Sequence, residues 1–217
     1  MPLAWAGYAW GSHLLTLGSL WRGSRARPLA TLTFDDGPDP ETTPRVLDAL
    51  AEHGVRGAFF LIGRRAAAYP GVVRRIAAEG HDVGNHTWSH RSLWLCGPRA
   101  TRREVLDGHD AIAQAAGQPP RYFRAPWGMT NLAMFPLLGP LATPCVFWSV
   151  QPEGRRPAEP AQQVARCARR AGPGAIVDLH DADGVPGAGA RLTGALPGIV
   201  DALRGQGLTL VPLRDLL

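Results

Sequence analysis

The feature that most constrains the fold is the regular alternation of short apolar runs with helix-like segments from Pro28 onward. The run LATLTF (29–34) precedes a helical pattern at 43–54, and the run GAFFLIG (57–63) precedes another at 70–80. In all, about seven apolar runs alternate with helical patterns in this way. Strands that alternate with helices form parallel sheets, because each helix returns the chain to the same edge. The sequence therefore predicts an α/β fold, either an open sheet or a barrel.

The remaining runs extend this pattern over one domain, residues 28–217. Further strands are predicted within 81–86, 121–124, 145–150, 175–180 and 208–213. Further helices are predicted near 100–117, 160–171 and 193–205. Thr101 and Glu104 have the spacing of a capping box at the start of the first of these helices. A chain of 217 residues, 45% of them hydrophobic, is long and apolar enough to bury one core.

Residues 1–27 form an apolar segment with two interpretations. The stretch at 2–21 is about long enough to span a bilayer, although several polar and glycine residues interrupt it. Arg22, Arg25 and Arg27 follow it and would keep the domain on the cytoplasmic side by the positive-inside rule. The segment is expected to be either a membrane-associated helix or a helix packed on the domain. We favour a membrane-associated or cell-envelope location, with the cytoplasm as the alternative.

Charge and cysteine content exclude several classes of function. The formal net charge is +5, and all 23 basic residues are arginines. They are scattered, ten of them in five adjacent pairs, and no long basic run is interleaved with aromatic residues. The cysteines, Cys96, Cys145 and Cys167, match no zinc-ribbon or redox spacing. We therefore expect neither a nucleic-acid partner nor a disulfide scaffold, and the sequence leaves the oligomeric state open.

Polar residues capable of catalysis or metal binding follow the ends of the predicted strands. The first strand ends in Asp35 and Asp36, and the third leads into NHTWSH. Two later strands lead into RAPW and DLHD. Because ligand sites of parallel sheets lie at the carboxyl ends of the strands, these groups are expected to converge. The sequence therefore predicts one polar site at this edge of the sheet.

A metal ion explains why two aspartates stand side by side at the end of the first strand. His86 and His90 are four residues apart in HTWSH, and on a helical turn they would share one face, as two ligands of one metal do. A strand-end aspartate would be the third ligand, while its neighbour acts on a water molecule. Two histidines and a carboxylate leave coordination positions open for water and substrate. We expect one divalent ion, zinc in the first place, with cobalt and nickel also suited to these ligands.

The motifs TFDDGP, HTWSH, RAPW and a strand ending in Leu-His resemble, in this order, those of the polysaccharide deacetylase family (carbohydrate esterase family 4, the NodB homology domain). The resemblance covers about residues 29–217. It implies a distorted (β/α) barrel of about seven parallel strands. It also implies metal-dependent removal of acetyl groups from sugars. We therefore expect a hydrolase whose partner is an acetylated glycan, such as peptidoglycan or a chitin-like chain.

The resemblance also implies a role for each residue of these motifs. Asp36, His86 and His90 match the metal ligands, Asp35 matches the catalytic base, and Arg124 matches the arginine that positions this base. Pro126 and Trp127 match the groove wall, Leu179 would line the acetyl pocket, and His180 matches the general acid. The Trp127 backbone N–H matches an oxyanion donor, and Trp148 is a further candidate for substrate contact. This chemistry is coherent in itself, because a divalent metal lowers the pKa of water and an imidazolium can protonate a leaving nitrogen.

One departure from the family pattern concerns the carboxylate that tunes the catalytic histidine. After FWSV the family places two acidic residues, but this chain has Gln151 and Gly154 at those positions. Asp178 lies two residues before His180, and side chains two apart on a strand share a face. We expect Asp178 to support His180, with Glu153 as the competing candidate.

Two other functions stay open. One is a non-catalytic carbohydrate-binding domain on the same scaffold, which the intact acid, base and metal motifs disfavour. The other is a hydrolase of non-sugar amides, because the walls of a pocket rather than its fold determine the substrate.

Overall fold

The computed structural model describes residues 5, 7–9, 19–154 and 156–217. Within these ranges one parallel sheet contains β1 (Leu29–Asp35), β2 (Ala58–Leu61), β3 (Asp82–Asn85), β4 (Tyr122–Phe123), β5 (Ala175–His180) and β6 (Thr209–Leu210). The strand order is β4-β3-β2-β1-β5, and β6 pairs with the first two residues of β1. The predicted α/β class with parallel strands is confirmed.

Helices follow most of the strands. They are α1 (Thr42–Glu52), α2 (Gly63–Ala68), α3 (Pro70–Ala78), α4 (Pro98–Ala116), α5 (Phe135–Leu138), α6 (Pro160–Arg170), α7 (Ala188–Gly205) and α8 (Leu213–Leu216). Two 3₁₀ turns lie at Leu93–Leu95 and Pro126–Gly128. Each long helix buries one apolar stripe, as Val46, Leu47 and Leu50 do in α1.

The central strands are buried on both faces, as parallel strands covered by helices usually are. Phe59 and Leu61 of β2 belong to the main core, which packs under the helices. The alternate residues Ala58 and Phe60 belong to a second apolar cluster on the other face. This double burial leaves the carboxyl ends of the strands as the natural place for polar side chains.

The segment 145–150, predicted as a strand, makes only isolated bridges in the described structure. Cys145 bridges Phe123 of β4, and Val150 bridges Val177 of β5. The segment therefore lies between β4 and β5, where a further strand of a barrel would stand. The physical reason for the interruption is Arg124, whose guanidinium donates to the carbonyl groups of residues 146 and 147. Six strands and this segment thus replace the seven strands expected.

About half of the predicted apolar segment 1–27, namely residues 1–4, 6 and 10–18, lies outside the described residues. Its described end packs on the domain: Leu20 donates its N–H to Cys145 and accepts from Phe147, and Trp21 stacks on Phe147 with ring centroids 4.2 Å apart. Within the described part of the chain, no helix has both the length and the apolar character needed to cross a bilayer. The division into residues 1–27 and 28–217 stays a prediction.

Candidate metal and catalytic site

A cavity of about 670 Å³ opens at the carboxyl ends of the strands. Most of the predicted site residues line it, namely Asp35, Asp36, His86, His90, Trp127, Trp148, Asp178 and His180. Arg124 is fully buried below it. Pro126 and Leu179 are also buried, and they are not among the described lining residues. Their expected contacts with substrate therefore stay predictions.

The register of the sheet brings the catalytic candidates together. β1 pairs with β5 so that Asp35 lies beside His180 and Thr33 beside Asp178. Asp36 follows directly at the end of β1, with its backbone in the left-handed region (φ 76°). Adjacent side chains of an extended strand point to opposite faces. The turn at Asp36 breaks that alternation, and both carboxylates face the cavity.

Asp36, His86 and His90 form the cluster that could hold a metal ion. Their candidate ligand atoms all lie within 4.8 Å of one another. Asp36 Oδ1 lies 2.9 Å from His90 Nε2 and 3.7 Å from His86 Nε2. These are two imidazole nitrogens and one carboxylate oxygen, a donor set that suits a divalent transition metal.

The protonation of these groups fits a metal ion. His86 Nδ1 lies 2.8 Å from the Arg124 carbonyl, which can only accept, so Nδ1 carries the proton and Nε2 a free lone pair. Burial lowers the pKa of His86 to about 4, which keeps the ring neutral. Burial would raise the pKa of Asp36, but His90 lowers it well below its usual range. Asp36 Oδ1 is buried and accepts no hydrogen bond from the described residues. A cation would satisfy these lone pairs.

The backbone around the cluster is strained. Thr87 (φ 69°), His90 (φ 61°) and Trp127 (φ 54°) all lie, like Asp36, in the left-handed region. Such conformations cost about 1–3 kcal/mol each and gather at functional sites. The expected helical turn from His86 to His90 is wrong, because these residues form an irregular loop. The left-handed residues, rather than helical spacing, bring the two imidazoles together.

Arg124 connects the base candidate to the sheet. Its Nη1 donates to Asp35 Oδ1 at 2.7 Å, to Thr33 Oγ1 at 2.9 Å and to Asp178 Oδ1 at 3.1 Å. The guanidinium also lies over the ring of Phe60, 3.9 Å from its centroid. Because every one of these partners is buried, the orientation of Asp35 is tightly determined.

Asp178 does not contact His180 through a hydrogen bond. Its two oxygens accept from Arg124 and, at 2.9 Å, from Gln151 Nε2. His180 Nδ1 is buried and has no hydrogen-bond partner among the described residues. Burial would lower the pKa of His180, but the charges of Asp178, Asp36 and Asp35 raise it. Burial and the charge of Asp35 raise the pKa of Asp178 to about 7, and the ionised form of Asp178 acts on His180 through its charge. Gln151 occupies the place of the missing acid as a donor to Asp178.

Glu153, the competing candidate, is paired elsewhere. Its Oε1 accepts from Arg191 Nε at 2.8 Å and from the Ala158 N–H at 2.8 Å. The charge of Arg191 offsets that of Glu153. Glu153 therefore raises the pKa of His180 less than Asp178 does.

Several cavity residues were not foreseen. Ser92, Trp94, Leu95, Met129 and Val185 also line the cavity. Gly184 was also missed: a Cβ there would lie 1.8 Å from Asp36 Oδ2, so the loop after β5 can cover Asp36 only with glycine. No motif signals these residues, because they come from loops that only the fold brings together.

With the geometry described, comparison with known proteins identifies the family. A family model described as polysaccharide deacetylase matches residues 22–138. This chain belongs to the polysaccharide deacetylase family. A chitooligosaccharide deacetylase from Bradyrhizobium sp. (strain ANU 289) is 38% identical over 196 residues, which cover 85% of this chain and 89% of the relative.

Solved structures extend this polysaccharide deacetylase family assignment to the fold. A peptidoglycan N-acetylglucosamine deacetylase superposes with a TM-score of 0.87 at 29% identity, covering 95% of this chain and 96% of that structure. A CE4 family pseudoenzyme from Bacillus anthracis superposes with a TM-score of 0.82 at 25% identity, covering 91% of this chain and 68% of that structure. The family, the fold and the carbohydrate deacetylase class expected from the sequence are confirmed. Because a pseudoenzyme shares this fold, the roles of individual residues must be argued from the site itself.

Proposed function

We propose that this family member hydrolyses the N-acetyl group of N-acetylglucosamine units in a chitin-like oligosaccharide or in peptidoglycan. One observation carries the proposal: Asp35, held by Arg124, lies next to the donor set of Asp36, His86 and His90. The names of the relatives above support both glycan classes.

Each residue has a role that follows from its surroundings. Asp36, His86 and His90 would hold a divalent cation, which supplies Lewis-acid polarisation and lowers the pKa of water when bound. Asp35 takes the proton of the attacking water, because Arg124 orients its carboxylate towards the cavity. The Trp127 N–H stabilises the oxyanion.

His180 completes the reaction by protonating the leaving nitrogen. An amine is a poor leaving group until it is protonated, so this acid must carry its proton near neutral pH. The carboxylates around His180 raise its pKa and so favour the imidazolium. His180 on β5 lies beside Asp35 on β1 and both line the same cavity, which supports these two roles.

Release of acetate tests the proposal. The purified protein should release acetate from N-acetylated chitooligosaccharides or from peptidoglycan, lose this activity with a chelator, and regain it best with zinc among zinc, cobalt and nickel. Binding of these glycans without acetate release would instead support a carbohydrate-binding domain. Hydrolysis of simple acetamides but of neither glycan would support a non-sugar amide hydrolase.

A further inference from the structure

The loop that carries His86 and His90 is held from outside by helix α4. Glu104 of α4 is only 6% exposed, and both of its carboxylate oxygens accept hydrogen bonds from one residue of the loop. Oε2 accepts the Ser89 N–H at 2.8 Å, and Oε1 accepts the Ser89 hydroxyl at 2.6 Å. The Glu104 carbonyl also accepts the Trp88 N–H at 2.8 Å. The loop residues that make these three hydrogen bonds, Trp88 and Ser89, lie between His86 and His90 in the sequence.

Asn85 makes a second attachment on the other side of His86. Its Nδ2 donates to the Val105 carbonyl of α4 at 2.9 Å, and its Oδ1 accepts the Thr87 N–H at 2.9 Å. Thr87 Oγ1 in turn accepts the His90 N–H at 3.1 Å. The chain from Asn85 to His90 is thereby connected to α4 at Asn85 and at Trp88 and Ser89.

Gly108 allows the helix to approach this closely. A Cβ at position 108 would lie 2.7 Å from Asn85 Oδ1, 2.8 Å from the Thr87 carbonyl carbon and 2.9 Å from the Trp88 nitrogen. Two of these atoms belong to the backbone of the loop, which could yield only by moving. Glycine inside a helix costs about 1 kcal/mol relative to alanine. Its presence in the middle of α4 is explained by this contact.

The hydrogen bonds to α4 hold the loop in a strained backbone conformation. Thr87 is β-branched and has φ 69°, and His90 has φ 61°, so the isolated loop would favour other conformations. Hydrogen bonds of a buried carboxylate to N–H and O–H groups are among the stronger ones in proteins. They are well suited to maintain the strained loop.

We propose that Glu104 and Gly108 are positioning residues that set the metal affinity of the His86–His90 loop, although neither contacts the metal site. The proposal rests on the proposed metal site. Partners that orient metal ligands typically contribute about 10–100-fold to metal affinity. Loss of the α4 attachment is expected to lower the affinity for zinc by this factor, because the imidazoles would no longer be held in place.

The test compares zinc affinity, measured by calorimetric titration, across matched variants. Glu104→Ala should bind zinc about 10–100-fold more weakly, whereas Glu104→Gln should lose less, because an amide can still accept from the Ser89 N–H and donate to its hydroxyl. Asp107→Ala removes an exposed acid from the same helix and is the control. The visible spectrum of the cobalt-substituted protein should change only for Glu104→Ala, which separates altered ligand geometry from general loss of stability.

Gly108 gives an independent test, because its substitution adds a Cβ against the loop and removes no side-chain hydrogen bond. Gly108→Ala should weaken zinc binding, whereas Gly194→Ala, at an exposed site of α7 whose nearest neighbour would be Pro160 at 3.5 Å, should not. Ser89→Ala serves if Glu104→Ala does not fold, and it should also weaken binding. Wild-type affinity in Ser89→Ala and Gly108→Ala would overturn this inference alone. A wild-type protein that binds no metal would overturn the proposed metal site, and this inference with it.

Discussion

An imidazole and a carboxylate lie together at each end of β3, but their partners differ. At the amino end, Asp82 accepts from Arg214 Nη1 at 2.6 Å and from the Arg214 N–H at 3.1 Å, and His81 Nδ1 accepts the Gly57 N–H at 3.1 Å. At the carboxyl end, His86 Nε2 faces Asp36 Oδ1, which accepts no hydrogen bond from the described residues.

The pKa of the histidine does not separate the two ends. Burial lowers the pKa of both His81 and His86 to about 4. What differs is that Asp82 and His81 Nδ1 at the amino end have hydrogen-bond partners, which is the usual state of buried polar groups in proteins. At the carboxyl end lone pairs face each other and the backbone is strained. Unmatched groups on a strained backbone therefore indicate the functional site, and a shifted pKa alone does not.

The largest effect on function is expected from substituting Asp35 and Asp36, the adjacent carboxylates at the carboxyl end, which should differ in what they lose. Asp35→Asn should keep its metal but lose about 10²–10⁴-fold in turnover, because it removes the general base. Asp36→Asn should lose metal affinity instead, because it removes a charged ligand. Metal analysis and acetate release on both variants check this division. Variants that lose metal and turnover to the same degree would contradict it.

A smaller effect concerns the pH dependence set by Asp178. Its negative charge favours the imidazolium of His180, so Asp178→Asn should lower the pKa of His180. The protonated acid is then lost at lower pH, and the alkaline limb of the pH–rate profile should move to lower pH. Turnover should fall and metal content should not change.

Glu153→Gln is the comparison for this effect. Its charge is offset by Arg191, so the alkaline limb should move less than in Asp178→Asn. A shift in Glu153→Gln with none in Asp178→Asn would reassign the role to Glu153. An unmoved limb in both variants would mean that neither carboxylate tunes His180.

The smallest effect on function is expected at the amino end of β3. Asp82→Asn should lower the free energy of unfolding by about 1–3 kcal/mol, because it weakens charged hydrogen bonds to Arg214. Zinc affinity and acetate release should remain at wild-type levels. Urea unfolding and metal titration of the same preparation check both statements. A loss of zinc affinity at unchanged stability would break the comparison between the two ends.

Sequence patterns predicted the parts of the molecule that depend on local periodicity. The strand at 175–180 has the predicted bounds, and the strand-end motifs converge on one cavity. Patterns failed where a distant partner decides the conformation. Helix α4 begins at Pro98, and Glu104, expected in a capping box, bonds the loop at Ser89 instead. The strand predicted at 145–150 is interrupted by another distant partner, Arg124, which donates to two of its carbonyl groups. A local pattern contains no information about such partners.

Metal binding by Asp36, His86 and His90 is the central claim, and metal analysis of the purified protein tests it most directly. The wild-type protein should contain one divalent ion per chain. The double variant His86→Ala plus His90→Ala should contain none at the same protein concentration, while remaining folded by circular dichroism. Full metal occupancy in the folded double variant would contradict the account.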